Sequence, residues 1–196
     1  MADDLLAVIR VLRLNGVTLL GHSTAGAVAI RYMARHREYG VFKLVLCAAA
    51  VPALAKSPRL PQGQSVEILN NIIDGAYTDR PAMLRSFGDI FFYTDVSKPL
   101  TDWLFDMGLR AASWATIAIS KDWLVKELYD DLPKVQASTL ILHGVHDQVV
   151  PFALGQVQQE SIKNARLVPF GSSGHGLFYD EMEKFNRELI QFTSEG

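Results

Sequence analysis

The sequence predicts an α/β fold in which helices cover both faces of a parallel β-sheet and a helical segment is inserted into it. Short apolar runs alternate with amphipathic stretches near both ends of the chain. That order is typical of parallel strands joined by helices. The middle of the chain, residues 52–137, loses this alternation and offers several helical patterns instead.

The amino-terminal part predicts helix, strand, helix and strand in that order. Apolar residues recur at helical spacing after Asp3 and Asp4, either of which can cap the helix, and Asn15-Gly16 ends it. Residues 17–20 form a short β run, residues 23–37 a helix and residues 42–47 a second β run. Small side chains in the first turns of the second helix allow it to pack close to a sheet.

The carboxyl-terminal part returns to this alternation, with strands predicted at 139–143 and 166–170 and helices at 151–163 and 180–192. The middle segment begins with Pro-rich turns, and Thr78-Asp79-Arg80-Pro81 predicts a helix start. We therefore expect a core of residues 1–51 and 138–196 and a helical cap or lid of residues 52–137. Most large apolar side chains of that segment would form its own core, and a few would line an apolar pocket.

The composition excludes several classes of function. The formal net charge of −2 gives no strong field, so neither nucleic acid nor an anionic membrane is expected as a partner. The single cysteine, Cys47, allows no internal disulfide and suits a reducing compartment. The first residues lack the pattern of a signal peptide, and no apolar run is long enough to cross a membrane. These features predict a cytoplasmic protein.

Ser23 is the candidate nucleophile, because it lies between a strand and a helix in the run LGHSTAG at residues 20–26. A serine on such a sharp turn holds its hydroxyl out at the carboxyl end of the sheet, with a helix N-terminus behind it. The usual pattern is Gly-x-Ser-x-Gly, whereas Ala25 takes the fifth position here and Gly26 follows it. The alternative is a serine that only caps the helix.

Asp147 and His175 are the candidate acid and base. Asp147 follows the strand that ends at His143, and a turn there places it near the same edge of the sheet. The alternative for Asp147 is a turn or helix-capping residue before Pro151. His175 lies between two glycines in a flexible loop after the last strand, where it has no helical packing role. Histidine is also the side chain best suited to accept a serine proton near neutral pH.

The order serine, acid, histidine, each just after a strand, is the chain order of the α/β-hydrolase catalytic triad. The other histidines, His22, His36, His143 and His146, have no comparable context. We interpret His22 and His143 as local packing or hydrogen-bonding residues. No set of residues has the spacing of metal ligands, so neither a metal nor another cofactor is expected.

Almost the whole chain resembles the carboxyl-terminal three quarters of an α/β-hydrolase of the cofactor-free haloperoxidase and esterase type. The resemblance is carried by residues 17–26 (VTLLGHSTAG), 131–135 (DLPKV), 139–152 (TLILHGVHDQVVPF) and 174–181 (GHGLFYDE). It implies a parallel-sheet hydrolase core with a helical cap inserted after the strand ending near Cys47. It also implies hydrolysis of a small carboxylic ester, with perhydrolysis or haloperoxidase chemistry as a side reaction when peroxide replaces water.

The same resemblance implies a role for each site residue. Ser23 is the nucleophile, His175 the base, Asp147 the acid, and the Thr24 backbone N–H one donor to the oxyanion. A serine at this turn argues against a haloalkane dehalogenase, which uses a carboxylate nucleophile.

The chain departs from the family at its beginning, because family members place four strands and a helix ahead of the helix that begins here. The loop that supplies a second oxyanion donor is then missing, which typically costs on the order of 10²–10³ in rate. The apolar run 17–20 would become a sheet edge, and such an edge invites pairing with another chain. We expect either a native polypeptide that extends upstream of Met1 or a further subunit of a homo-oligomer at this edge.

Two functions of different class follow from these observations. The first is a serine hydrolase acting on a small ester. The second is a truncated, weakly active or non-catalytic protein that binds a ligand or a partner and retains the triad as a relic.

Overall fold

The structure, a computed structural model, describes residues 1–194, so residues 195 and 196 of the expected core segment lie outside the described residues. Its sheet holds four parallel strands in the order β1 (Val17–His22), β2 (Val41–Cys47), β3 (Ser138–Gly144) and β4 (Ala165–Phe170). The register pairs His22 with Cys47 and Cys47 with Leu142. The carboxyl ends of the strands therefore lie side by side at one edge, which is where ligands bind in open α/β sheets.

Nine helices accompany the sheet over residues 1–194. They are α1 (Ala2–Val11), α2 (Thr24–His36), α3 (Val66–Thr78), α4 (Arg80–Asp89), α5 (Lys98–Arg110), α6 (Ser113–Val125), α7 (Ala153–Ser161), α8 (Leu177–Asp180) and α9 (Met182–Ser194). A 3₁₀ turn, Leu132–Lys134, precedes β3. No helix in this described range combines the length and the apolar character needed to cross a membrane.

The two central strands are buried on both faces over residues 44–47 and 140–142, which explains why the sequence is continuously apolar there. Leu44 and Leu46 of β2 pack with α1 and α2 on one face, in a cluster that also holds Ile9 and Ile30. Val45 and its neighbours pack on the other face with apolar side chains of α8 and α9. At the sheet edge, Leu20 of β1 is 40% exposed. The parallel pairing of all four strands and the helices on both faces confirm the predicted α/β sheet.

Several predicted boundaries are wrong by a few residues. Neither Asp3 nor Asp4 caps α1, because the helix begins two or three residues earlier than predicted and Met1 takes the capping position. Both carboxylates lie in the first turn, where they interact favourably with the positive end of the helix dipole. The helix also ends at Val11, before Asn15-Gly16, and the positive φ of Gly16 (65°) serves the entry to β1 instead.

The predicted carboxyl-terminal helix at 180–192 is two helices in the structure, since α8 ends at Asp180 and α9 begins at Met182. Asp180 does not start a helix. Its carboxylate accepts hydrogen bonds from the backbone N–H groups of Tyr93, Thr94 and Gly174 instead. The predicted helix at 151–163 is also shorter, because α7 covers Ala153–Ser161.

The segment between β2 and β3 contains four helices, α3 to α6, and no strand of the sheet. Helix α3 packs against α6 and α4, and α4 packs against α5. The predicted helix start is confirmed, because Asp79 Oδ1 accepts a hydrogen bond from Ala82 N (3.0 Å) and Pro81 lies in the first turn of α4. A helical insertion therefore interrupts the parallel sheet, as the sequence predicts.

Candidate active site

Ser23 occupies the single residue between β1 and α2, with φ 55° and ψ −125°. This conformation is costly for a residue with a side chain and persists where the surrounding structure enforces it. The Ser23 N–H donates to Cys47 O (2.9 Å), and Ser23 O accepts from Gly26 N and Ala50 N (both 3.0 Å). These bonds hold the strained turn against the end of β2, at the carboxyl edge of the sheet.

The glycines around Ser23 are required by close backbone contact. A Cβ atom on Gly21 would lie 2.6 Å from Ala25 O, and one on Gly26 would overlap the Ala49 side chain. Ala25 itself is exposed, so its methyl group has space. The departure from Gly-x-Ser-x-Gly is therefore compatible with the turn, because the glycine that packs against the chain after β2 is Gly26.

Asp147 lies in the turn after β3, and its side chain is fully buried. Its Oδ1 accepts hydrogen bonds from the backbone N–H groups of Val149 and Val150 (both 2.8 Å). Its Oδ2 accepts from His175 Nδ1 (2.8 Å). The carboxylate is thus aimed at the imidazole by the backbone of its own turn. Asp147 therefore stabilises its own turn, as the alternative interpretation expected, and contacts His175 as well.

His175 is 1% exposed, and the loop that carries it is tightly packed rather than flexible as expected. Gly176 N donates to Phe91 O (2.8 Å), and Gly174 N donates to the Asp180 carboxylate (2.9 Å). A Cβ atom on Gly176 would overlap the Phe92 ring. The two glycines therefore serve close packing against residues 91–93, which holds the imidazole in place.

His22 connects the serine turn to the histidine loop. Its Nε2–H donates to the His175 backbone carbonyl (3.1 Å), and the two imidazole centroids lie 4.6 Å apart. Burial, together with the neighbouring His175, lowers the pKa of His22 from 6.5 to about 4. His22 is therefore neutral near pH 7, and its hydrogen bond brings the residue before Ser23 into contact with His175.

His143 lies beneath the acid turn and is fully buried. Its Nε2–H donates to Val150 O (2.9 Å) and lies 3.6 Å from Asp147 Oδ2. Its Nδ1 has no hydrogen-bond partner among the described residues, so the proton belongs on Nε2. Burial lowers the pKa of His143 from its ordinary value, which favours this neutral form. The expected hydrogen-bonding role of His22 and His143 agrees with this geometry.

A small cavity of about 40 Å³ lies beside the serine. Ser23 and Thr24 form one side of it, and apolar side chains of the inserted helices, among them Ile68, Phe87 and Trp123, form the other. Trp123 Nε1 also donates to Thr24 Oγ1 (3.0 Å). A larger cavity of about 460 Å³ lies on the other side of Thr24 and is lined by residues of α1, α2 and α6, including Met1.

Residues 1–188 match the sequence model described as the alpha/beta hydrolase family. The chain belongs to this family. It is 41% identical over 194 residues to the AB hydrolase superfamily protein YisY of Bacillus subtilis, covering 99% of this chain and 72% of that protein. It is 30% identical over 201 residues to the non-heme chloroperoxidase CPO-A1 of Kitasatospora aureofaciens, covering 98% and 73%.

Among solved structures, an esterase from Exiguobacterium antarcticum matches with a TM-score of 0.97 and 39% identity, over 100% of this chain and 73% of that one. The resemblance drawn from the sequence is thereby confirmed, and the chain is an enzyme of the α/β-hydrolase superfamily similar to esterases and haloperoxidases. The chain spans about three quarters of the length of these relatives. The expectation that the polypeptide extends upstream of Met1 stays a prediction.

The four site residues predicted for this α/β-hydrolase come from three separate parts of the chain and lie at one edge of the sheet. Thr24 is the first residue of α2, so its N–H has no acceptor within the helix. Sequence reasoning missed Phe91, whose ring packs edge-on against His175 with centroids 5.1 Å apart. It also missed the bonds from Asp180 that hold the His175 loop. Residues 1–194 contain no group of three or more potential ligands arranged to hold a metal ion.

Proposed function

We propose that this α/β-hydrolase cleaves a small carboxylic ester through an acyl-enzyme on Ser23. The observation that carries the proposal is the 2.8 Å hydrogen bond between His175 Nδ1 and Asp147 Oδ2, buried at the edge where the strained Ser23 turn lies. A buried carboxylate that fixes one imidazole nitrogen leaves the other nitrogen available as a base. A serine in a strained turn at a helix N-terminus is the matching nucleophile.

The proposed reaction moves one proton between serine, histidine and the leaving group. His175 Nε2 takes the proton of the Ser23 hydroxyl as the oxygen attacks the ester carbonyl, and the resulting imidazolium is stabilised by Asp147. The tetrahedral intermediate collapses, and the imidazolium gives its proton to the departing alcohol. Water then attacks the acyl-enzyme with His175 as base, which releases the carboxylic acid and restores Ser23.

The oxyanion would receive one hydrogen bond from the Thr24 backbone N–H. The N-terminus of α2 adds the positive end of a helix dipole at the same place.

The substrate proposal follows from the cavity beside Ser23. A space of about 40 Å³ with an apolar lining fits a small, uncharged acyl group such as acetyl. The inserted segment supplies most of that lining, which supports the division into a core of residues 1–51 and 138–196 and a cap of residues 52–137. The likeness to a bifunctional esterase/perhydrolase of Acinetobacter calcoaceticus, 31% identical over 202 residues, favours perhydrolysis as a side reaction, in which hydrogen peroxide attacks the acyl-enzyme and the peracid is released.

A fluorophosphonate probe and p-nitrophenyl acetate test the proposal together. We expect the folded protein to be labelled and to hydrolyse the ester, and Ser23→Ala to abolish both. Ser172→Ala, in an exposed serine of the loop after β4, is the matched control and should retain both. Folded protein that is neither labelled nor active would support the alternative of a non-catalytic protein that binds a ligand or a partner.

A further inference from the structure

A third cavity, of about 260 Å³, lies between α4 and α5. Its walls are mostly apolar, with Leu84, Phe92, Leu104 and Phe105 among the lining residues. The exposed charged residues Arg85 and Asp89 also contribute to its lining. A cavity of this size and lining suits a flexible apolar chain better than a charged ligand.

One aromatic residue is shared by this α4–α5 cavity and the small cavity beside the candidate nucleophile. Phe87 lines the α4–α5 cavity and also the small cavity that contains Ser23. Phe91, which packs against the His175 ring, lines the α4–α5 cavity as well. Ser23 therefore shares the small cavity with one phenylalanine of the α4–α5 cavity, and His175 contacts another.

The two phenylalanines differ in how the chain holds them. Phe91 is tied to the histidine loop, because its carbonyl accepts from Gly176 N and its ring packs on His22 and His175. Phe87 lies near the end of α4, and its neighbour Gly88 has open space where a side chain would begin. Removing the Phe87 ring would therefore join the two cavities and leave the hydrogen bond between Gly176 N and Phe91 O in place, although it also removes an edge-on contact with the Phe91 ring (centroids 5.8 Å apart).

We propose that Phe87 is the residue that sets acyl-chain length, by closing the α4–α5 cavity off from Ser23 and restricting the enzyme to short acyl groups. This inference rests on the proposed ester hydrolysis at Ser23. With the ring in place, the small cavity beside Ser23 offers the acyl group a space of only about 40 Å³. Without it, an acyl chain can continue into the further 260 Å³.

The test is the ratio of kcat/KM for p-nitrophenyl octanoate to that for p-nitrophenyl acetate. We expect Phe87→Ala to raise this ratio at least about 10-fold over the wild-type protein, since a few buried methylenes discriminate by that much. Phe87→Leu, which keeps more of the side-chain volume, should raise it less. Trp103→Ala is the matched control, because this side chain of α5 is 59% exposed and lines neither cavity.

Each outcome decides between the possibilities. A ratio that stays at the wild-type value in folded Phe87→Ala or Phe87→Leu, while acetate is still hydrolysed, overturns the role of Phe87 and leaves the proposed function standing. An equal rise in Trp103→Ala also overturns it, because loosening of the helices would then explain the change. If the folded wild-type protein neither hydrolyses p-nitrophenyl acetate nor is labelled at Ser23, both the proposed function and this inference are overturned. Circular dichroism identifies a variant that fails to fold, and the other Phe87 variant then supplies the result.

Discussion

Acid should destabilise this protein through His22, whose imidazole the fold keeps neutral. Burial is the main cause that lowers its pKa from 6.5 to about 4, and the neighbouring His175 is the second. The unfolded chain therefore binds a proton on His22 at a higher pH than the folded protein does. The stability that the neutral ring contributes is fully present above about pH 6.5 and is lost as the pH falls from there to about 4.

The magnitude follows from the difference between these two pKa values. At about 1.4 kcal/mol for each pH unit, the protein should lose about 3 kcal/mol of unfolding free energy between pH 7 and pH 4 through His22 alone. The lowered pKa of His143 acts in the same direction. The free energy of unfolding of a typical domain is about 5–15 kcal/mol, so a loss of this size is a large part of it.

The variant His22→Gln isolates this contribution, because a Gln amide N–H can still donate to the His175 carbonyl but does not titrate. Urea unfolding, followed by tryptophan fluorescence, should show that the variant loses about 3 kcal/mol less than the wild-type protein between pH 7 and pH 4. Protonation of the carboxylates affects both proteins equally, so it cancels when the loss of unfolding free energy in the variant is subtracted from that in the wild-type protein. Equal losses, or an NMR titration of His22 with a midpoint near 6.5, would refute the reasoning.

Three further predictions concern the acid, the cysteine and a glycine contact. Asp147→Asn should lower hydrolysis of p-nitrophenyl acetate by about 10⁴-fold, because the amide no longer holds the imidazole in the required tautomer; a variant with near wild-type kcat would contradict this. Cys47 is buried, and burial raises the pKa of its thiol. A thiol reagent should therefore modify Cys47 only as fast as the protein unfolds. Immediate modification of the native protein would contradict this prediction. Gly144→Ala should lower the free energy of unfolding by more than about 2 kcal/mol, because its Cβ would overlap Gly174 O. Gly171→Ala, at a site with open space, should change it by less than about 0.5 kcal/mol, and equal urea midpoints for the two variants would speak against the contact.

The strands of the sheet could be predicted from the sequence because each one is marked by a short run of neighbouring residues. Leu140, Ile141 and Leu142 form an unbroken apolar run, and a strand covered on both faces buries such a run completely. The site residues were predictable for a related reason. In a parallel sheet the carboxyl ends of all strands meet at one edge, so a polar residue just after each strand is placed there by topology alone. The position of Ser23, Asp147 and His175 along the chain therefore carries information about their position in space.

The contacts that hold the site together were not predictable, because they join residues far apart in the chain. Asp180 bonds to Tyr93 and Thr94, and Phe91 packs on His175, across more than eighty positions. No periodicity within a short window contains such a pairing. The expectation of a flexible histidine loop was wrong for the same reason: a glycine that gives freedom and a glycine that permits close packing look identical in the sequence.

The proposed chemistry has two parts that depend on different regions of the chain. The proton relay, His175 with Asp147, lies wholly within the described residues and is supported by backbone bonds from its own turn. Oxyanion stabilisation rests on Thr24, which borders the large cavity beside α1 and α6. Because Asp147→Asn leaves the oxyanion donors unchanged, the ratio of its kcat to that of the wild type reports on the relay alone. The absolute kcat of the wild type reports on the whole reaction, the relay and oxyanion stabilisation together. A small ratio with a low absolute kcat would therefore mean that the relay works and that the deficiency lies in another part of the site, such as oxyanion stabilisation at Thr24.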